Sequence, residues 1–336
     1  MIFVTGGTGL VGAHMLLTLT QADKKVKASF RSDKSRAYTQ KVFSFYGKEN
    51  LFSAINWVKL DLENSCDVIE AMEDVTQVYH CAAMVDLQNN SAARLIDANV
   101  TLTANLVNAA LVKEVTAFCH VSSVATLADT PPGIPADEAA VWTTGEKKSA
   151  YAISKFHSEM EVWRGNSEGL NVVVVNPSVI IGPAKSDTGS GLLFRQVWKG
   201  MPFYTSGGTG VVAAPDVTRA MYTLMKAGAF GKRYVLNGEN VSYKTMFSFI
   251  AQALGKNAPS RLLPQQVLTT ASHVTRALHL VIPAIPVVSK TLARTAYVQQ
   301  VYSSAKIVEE FNFSFQSAGE MIHQAAPFLK QQLIKR

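Results

Sequence analysis

A chain of 336 residues, 48% hydrophobic and 17% charged, can bury a large core, so the composition excludes a disordered protein and allows one big domain or two unequal lobes. The net charge of +7 is scattered in runs no longer than Lys24-Lys25 or Lys147-Lys148, a solvated basic surface rather than a nucleic-acid face. Cys66, Cys81 and Cys119 lack metal-type spacing and no signal-peptide pattern precedes the first apolar run, which leads us to expect reduced thiols in cytoplasm and no metal site.

In chain order, Ile2-Phe-Val4 reads as a buried strand, and Leu10, Leu16, Leu17 and Leu19 give the apolar face of a helix. The glycines between them fit two overlapping registers, Gly7-x-Gly9-x-x-Gly12 and Gly6-x-x-Gly9-x-x-Gly12. One glycine lets the turn close, one lets backbone approach a pyrophosphate and one lets the helix pack on the strand. The anion then lies on unpaired N–H groups at the positive end of the helix dipole.

Val26–Phe30 is the second strand of a βαβ unit. Arg31 follows it where a carboxylate would otherwise receive the adenosine ribose, with Lys34 and Arg36 nearby. A guanidinium fork suits a 2′-phosphate, so NADP is the preferred cofactor; Asp33 could still reach the ribose, which keeps NAD possible. Ile55–Leu60 reads as a third strand ending in Asp61-Leu62, and Gln77–His80 as a fourth ending in Cys81-Ala82-Ala83, small residues that let a flat ring or sugar lie close. A long helix over Ala92–Val112 leads to a fifth strand, Ala117–Val121, which ends in Ser122-Ser123. The next helix opens on Tyr151-Ala-Ile-Ser-Lys155, a spacing of four that sets phenol and ammonium side by side. A free Tyr titrates near 10, and a neighbouring Lys supplies part of the phenolate stabilisation that proton transfer at neutral pH needs. Beyond it, Val172–Val175 is a buried strand, Leu192–Trp198 starts a helix of a smaller lobe, Pro215–Ala227 is a helix back on the main sheet, and Tyr243–Leu254 belongs to the small lobe. The longest apolar run, Leu280–Val288, has two prolines and falls short of the roughly twenty residues that span a bilayer, so we expect no membrane insertion and a lining for the small lobe.

These stretches together resemble an extended short-chain dehydrogenase/reductase of the NAD-dependent epimerase/dehydratase family, in its dihydroflavonol-reductase-like branch. The matching residues are Thr5–Gly12, Asp61-Leu62, His80–Ala83, Asn99–Thr103, Val121–Ser123, Tyr151–Lys155 and Asn176–Pro183, all within residues 1 to about 185. The resemblance implies an α/β fold with a doubly wound parallel (Rossmann) sheet and a smaller C-terminal substrate-binding lobe. Residues 1–185 would form the dinucleotide domain and 186–336 mainly the substrate lobe, with segments near 211–227 returning to the main sheet. By the same resemblance Ser123 orients the substrate, Tyr151 is the acid/base and Lys155 binds the ribose, with Asn99 in a structural role. The cofactor would touch Gly6, Thr8, Gly9, Leu10, Val11, Gly12, Arg31, Asp61, Leu62, Ala82, Ala83, Tyr151, Lys155, Pro177 and Ser178.

The expected activity is hydride transfer between a nicotinamide cofactor and the carbonyl or alcohol of a small, fairly apolar molecule. The rivals are a nucleotide-sugar epimerase or dehydratase holding NAD tightly, and a non-catalytic dinucleotide sensor. Against the first, the segment before Asp216 is Gly210–Pro215, without charge, and only Arg195 and Arg261 stand by for substrate phosphates. In the resembled family the long helices pair between two copies, so a homodimer is expected, with Leu106, Val107, Met160 and Trp163 as candidates for its interface.

Overall fold

The computed structural model describes residues 1–85, 91–131, 133–142, 148–270 and 295–335. The first half alternates strand and helix: β1 (Ile2–Thr5), α1 (Leu10–Gln21), β2 (Val26–Phe30), α2 (Asp33–Phe45), α3 (Glu49–Phe52), β3 (Asn56–Lys59), α4 (Ser65–Ala71), β4 (Gln77–His80), α5 (Ala92–Val112), β5 (Ala117–Val121), α6 (Ala150–Ser167) and β6 (Val172–Pro177). Central parallel strands are covered on both faces and therefore read as unbroken apolar runs; Val172 to Val175 are fully buried. Serines set the starts of the two longest helices here: the Ser91 hydroxyl accepts from Arg94 N and the Ser149 hydroxyl from Ala152 N, each at 3.1 Å.

The chain then moves between layers through β7 (Val179–Ile181), α7 (Gly191–Trp198), β8 (Phe203–Tyr204), β9 (Gly208–Ala213), α8 (Ala214–Ala227), β10 (Lys232–Leu236), β11 (Glu239–Ser242), α9 (Tyr243–Leu254), β12 (Arg261–Leu262), α10 (Ala305–Phe311) and α11 (Ala318–Ile334). The main sheet has seven parallel strands in the order β10-β6-β5-β4-β1-β2-β3. Strand order reverses between β1 and β4, the switch point where doubly wound folds bind ligands. The expected fold is therefore the observed one.

The small lobe packs α7, α9 and α11 on a sheet ordered β11-β9-β7, around Phe194, Ile250, Ile322 and Leu329. Residues 211–213 end β9 in the small sheet, α8 over Ala214–Ala227 then packs on α1 and the main sheet, and β10 adds the edge strand beside β6. Ile307 and Phe313 bring the α10 region back as well.

Helix α5, with 21 residues, is long and apolar enough to cross a membrane by length and composition. Here its apolar side is spent within the domain: Leu95, Leu106 and Val107 are fully buried, the last two against α6 and the sheet. Leu106 and Val107 thus cannot form a subunit interface. Met160 is 41% exposed, and Trp163 donates its indole N–H to Glu159 at 3.1 Å. The apolar run 280–288 lies outside the described residues.

Candidate active site

The glycine loop shows which register carries the close approaches. Gly6 has a φ of +65°, and a Cβ there would stand 2.7 Å from the backbone nitrogen of Ala82. A Cβ on Gly12 would stand 2.1 Å from the Gly6 carbonyl oxygen, so the α1 backbone rests on the loop itself. Gly9 caps α1 without a side-chain acceptor, and the first turn holds no acid. Its open N–H groups form an anion site, which fits a dinucleotide pyrophosphate.

The ends of β1 and β4 are fastened beside this loop. The Thr5 hydroxyl lies 2.8 Å from His80 Nδ1 and accepts from Ala82 N at 3.3 Å. Burial holds the His80 ring neutral, its pKa pushed down to about 3. The Asn99 side chain accepts from Met84 N at 2.6 Å and donates to Met84 O at 2.9 Å, mimicking a strand partner for the segment after Ala83. Its expected structural role is what the geometry shows.

Ser123, Tyr151 and Lys155 converge on the same end of the sheet. Burial raises the pKa of the half-buried Tyr151 while the Ser123 hydroxyl acts in the opposite direction, and Ser123 Oγ itself accepts from Ala125 N at 3.2 Å. Lys155 is 5% exposed and donates to the Val121 carbonyl at 2.7 Å. Burial brings its pKa down to about 8, with Cys81 and Glu159 acting in the opposite direction.

A cavity of about 560 Å³ gathers most of the expected residues on its wall: Thr8, Gly9, Leu10, Val11, Ala83, Ser123, Tyr151, Lys155, Pro177 and Ser178. Gly6, Gly12 and Ala82 stand behind that wall as the packing just described. Arg31 is exposed at the end of β2, and Asp61 and Leu62 lie at the end of β3, two strands from the switch point and outside the cavity. Asp61 accepts from Glu63 N at 3.1 Å in a local turn, and Leu62 packs on the α4–α5 core.

The rest of the lining was not legible in the sequence. Tyr38, Lys185, Thr209, Gln300 and Tyr302 all line the cavity. Tyr38 donates to the Pro183 carbonyl at 2.6 Å, and the Tyr302 hydroxyl donates to Gln300 Oε1 at 3.2 Å. A second cavity of about 520 Å³ shares Val124, Ala125, Gln300 and Tyr302 with the first, and Lys148 on its wall pairs with Asp129 at 2.7 Å. No local pattern announces residues that meet across more than a hundred positions of chain.

The sequence profile of the NAD dependent epimerase/dehydratase family matches residues 2–237. The chain is 26% identical over 330 residues to a putative dihydroflavonol 4-reductase of Synechocystis sp., covering 96% of this chain and 92% of that one. It is 28% identical over 273 residues to sterol demethylase protein B of Methylococcus capsulatus, covering 79% and 78%. Among solved structures, that of gox2253 superposes with a TM-score of 0.83 at 25% identity, covering 98% of both chains.

Proposed function

Because the chain belongs to the NAD-dependent epimerase/dehydratase family, we propose that it moves hydride between NADPH and the carbonyl or alcohol carbon of a small, fairly apolar molecule. Enzymatic character and use of an NAD-type dinucleotide come with the family and with relatives named as reductases and dehydrogenases. The observation that carries the finer reading is the character of the cavity. Ser123, Tyr151 and Lys155 stand on one side, while Val85, Val124, Val179 and Ile180 supply much of the rest, with Lys185 the one further cation among the described lining residues. A substrate diphosphate would need more positive partners in a closed site. Arg195 and Arg261 line neither cavity.

When bound, the nicotinamide supplies the hydride chemistry. Tyr151 exchanges a proton with the substrate oxygen, Ser123 holds that oxygen by a hydrogen bond, and Lys155 favours the phenolate and binds the cofactor ribose. Preference for the phosphorylated cofactor is supported at the end of β2. Arg36 pairs with Asp33 at 2.6 Å and stacks over Phe30 at 4.5 Å, committing that carboxylate, whereas Arg31 and Lys34 stay exposed. Three free thiols suit a cytoplasmic protein. We further propose a homodimer through the outer face of α5 and α6 around the exposed Met160; light scattering should give twice the chain mass at micromolar concentration, and a monomer mass rejects it.

The substrate reading is tested by a thermal-shift panel in which hydrophobic ketones and aldehydes with NADPH run beside UDP- and dTDP-sugars, followed by turnover of the hits. We expect stabilisation and NADPH oxidation with the carbonyl panel. Stabilisation by nucleotide sugars alone, with NAD retained through purification, overturns it.

A further inference from the structure

Tyr151, Lys155 and Glu159 are spaced by four and run along one stripe of α6. Glu159 is 1% exposed, so its carboxylate is shut off from bulk solvent. A buried carboxylate is costly unless donors surround it, and an apolar side chain of similar size packs without that cost. Here the donors come from five residues on four segments of the chain. Oε2 accepts from the Ser122 hydroxyl at 2.6 Å, from the Asn176 amide at 3.0 Å and from the Thr126 hydroxyl at 3.2 Å. Oε1 accepts from the Trp163 indole at 3.1 Å and from the Arg233 guanidinium at 3.3 Å.

Two of those donors also hold the catalytic serine. The Thr126 hydroxyl lies 2.9 Å from the Ser123 carbonyl oxygen and the Asn176 amide nitrogen 3.3 Å from it. Arg233 reaches the other way and donates to the Glu138 carbonyl at 2.9 Å, in the segment whose Ala136 bridges to Tyr302 on the cavity wall. We propose that Glu159 is a positioning residue that, with Arg233, fixes the Ser122–Ser123 backbone so that the Ser123 hydroxyl meets Tyr151 and the reacting oxygen. The inference rests on the reading in which Ser123 holds that oxygen. A carboxylate is suited to this because it only accepts hydrogen bonds. A glutamine must turn its NH₂ toward one of the two donor groups, so no orientation of it preserves the arrangement.

The test separates positioning from stability. In the pair Glu159→Met with Arg233→Met both charges leave together and apolar groups replace them. Below about pH 7, where Lys155 keeps its proton without Glu159 beside it, we expect a melting temperature above that of Glu159→Met alone, NADPH affinity near the wild-type value, and kcat lower by about a hundredfold, the loss that a misplacement on the ångström scale produces. Recovery of kcat in step with the melting temperature overturns the proposal. Ser122→Ala keeps the ion pair, and with it the fold, and should lower kcat in the same direction by less; unchanged kcat there also counts against positioning.

A substrate-free readout judges the inference even if no carbonyl compound is turned over. Protein labelled with 3-fluorotyrosine gives a ¹⁹F resonance assigned to Tyr151 by its loss in Tyr151→Phe, and fluorination brings the phenol's titration into a range the fold tolerates. Among the described residues, Lys155 on the same helix, His80 from β4 and Cys81 just after it, His120 from β5, Glu159, and the cavity-lining Tyr38, Lys185 and Tyr302 are charged or titratable groups around this site. Loss of Glu159's negative charge alone would lower the Tyr151 midpoint. Loss of the Ser123 hydrogen bond raises it. We expect Glu159→Gln to shift the resonance and raise the midpoint as Ser123→Ala does; a midpoint that falls or stays at the wild-type value overturns the proposal.

Discussion

The two walls of the cavity are built in different ways. The wall that carries Ser123, Tyr151 and Lys155 comes from elements whose functional groups lie within a few residues of a strand end or helix start, as Ser123 does after β5 and Tyr151 in the first turn of α6. A second part of the lining is assembled from Tyr38, Lys185, Thr209, Gln300 and Tyr302, positions spread over most of the chain. Tyr302 reaches its place because Asn240 accepts from its backbone N–H at 3.0 Å and Ala136 bridges to it. The first is set by local geometry and, on the proposed reading, serves the chemistry common to any substrate. The second is set by tertiary packing and can change from one substrate to another without disturbing the first. Substitutions on the two walls should therefore separate into effects on kcat with every substrate and effects on KM that depend on the substrate.

The largest expected effect is on the catalytic wall. Tyr151→Phe removes the phenolic proton but leaves the ring, so turnover of any substrate found by screening should fall by about 10² to 10⁴, while fluorescence titration gives NADPH affinity near the wild-type value. Retention of most of the rate would mean that the proton comes from elsewhere. A smaller effect belongs to the cofactor's far end. Arg31→Ala should reduce the preference for NADPH over NADH by about ten- to a hundredfold, the worth of one charge-assisted contact; equal loss of both affinities, or loss of neither, removes Arg31 from phosphate recognition.

The contrast also explains how far the residues could be read in advance. The strand ends of the sheet, the glycine loop and the Tyr151–Lys155 spacing follow from periodicity of two or four and from where glycine is tolerated, which are properties of a few consecutive residues. Strands β2, β4 and β5 and helices α5 and α9 start and stop where the pattern puts them. Helix α2 was not foreseen because its opening, Arg31–Arg36, reads equally as an exposed basic turn; only in the fold does Tyr38 bury itself under Pro183 and turn that stretch into a helix start. Leu106 and Val107 look like interface residues on a helical wheel, yet α6 and the sheet already cover them. Glu159 had no signal at all, since a glutamate on an amphipathic helix is most often at the surface, and its burial depends on Arg233 arriving from β10.

Lys155 gives a pH-dependent prediction whose two signs oppose each other. Its pKa in the fold, about 8, lies below the ordinary value of 10.5 because burial disfavours the ammonium. The unfolded chain therefore holds this proton more tightly, and the group's penalty on the fold is complete below pH 8 and relieved as pH rises from about 8 to 10.5. Cofactor affinity should run the other way, because the ammonium that meets the ribose is lost over the same range. We expect NADPH binding to weaken by about tenfold for each unit above pH 8, while the Lys155 contribution to apo-protein stability increases. Lys155→Met should bind weakly with a flat profile through this window; a wild-type profile equally flat would show that the ammonium takes no part in binding.

The smallest expected effect is the one that most directly tests whether the two walls are separate. Tyr302 is another phenol lining the cavity, and it is the natural competitor of Tyr151 for the role of proton donor. Two features set it apart. It is 9% exposed and its hydroxyl hydrogen bonds to Gln300 Oε1. Burial together with Tyr243 and Asp129 raises its pKa, so every influence on it disfavours the phenolate, whereas Tyr151 has Ser123 acting in the favourable direction. Tyr38 is a third lining phenol, but its proton is given to the Pro183 carbonyl at 2.6 Å. Tyr302→Phe should accordingly leave kcat in place and change KM by at most about fivefold, the value of one neutral hydrogen bond near 1 kcal/mol, with the size of the change depending on which substrate is used. A drop in kcat comparable to that of Tyr151→Phe, uniform across substrates, would place proton transfer on the substrate wall and end the distinction between the two.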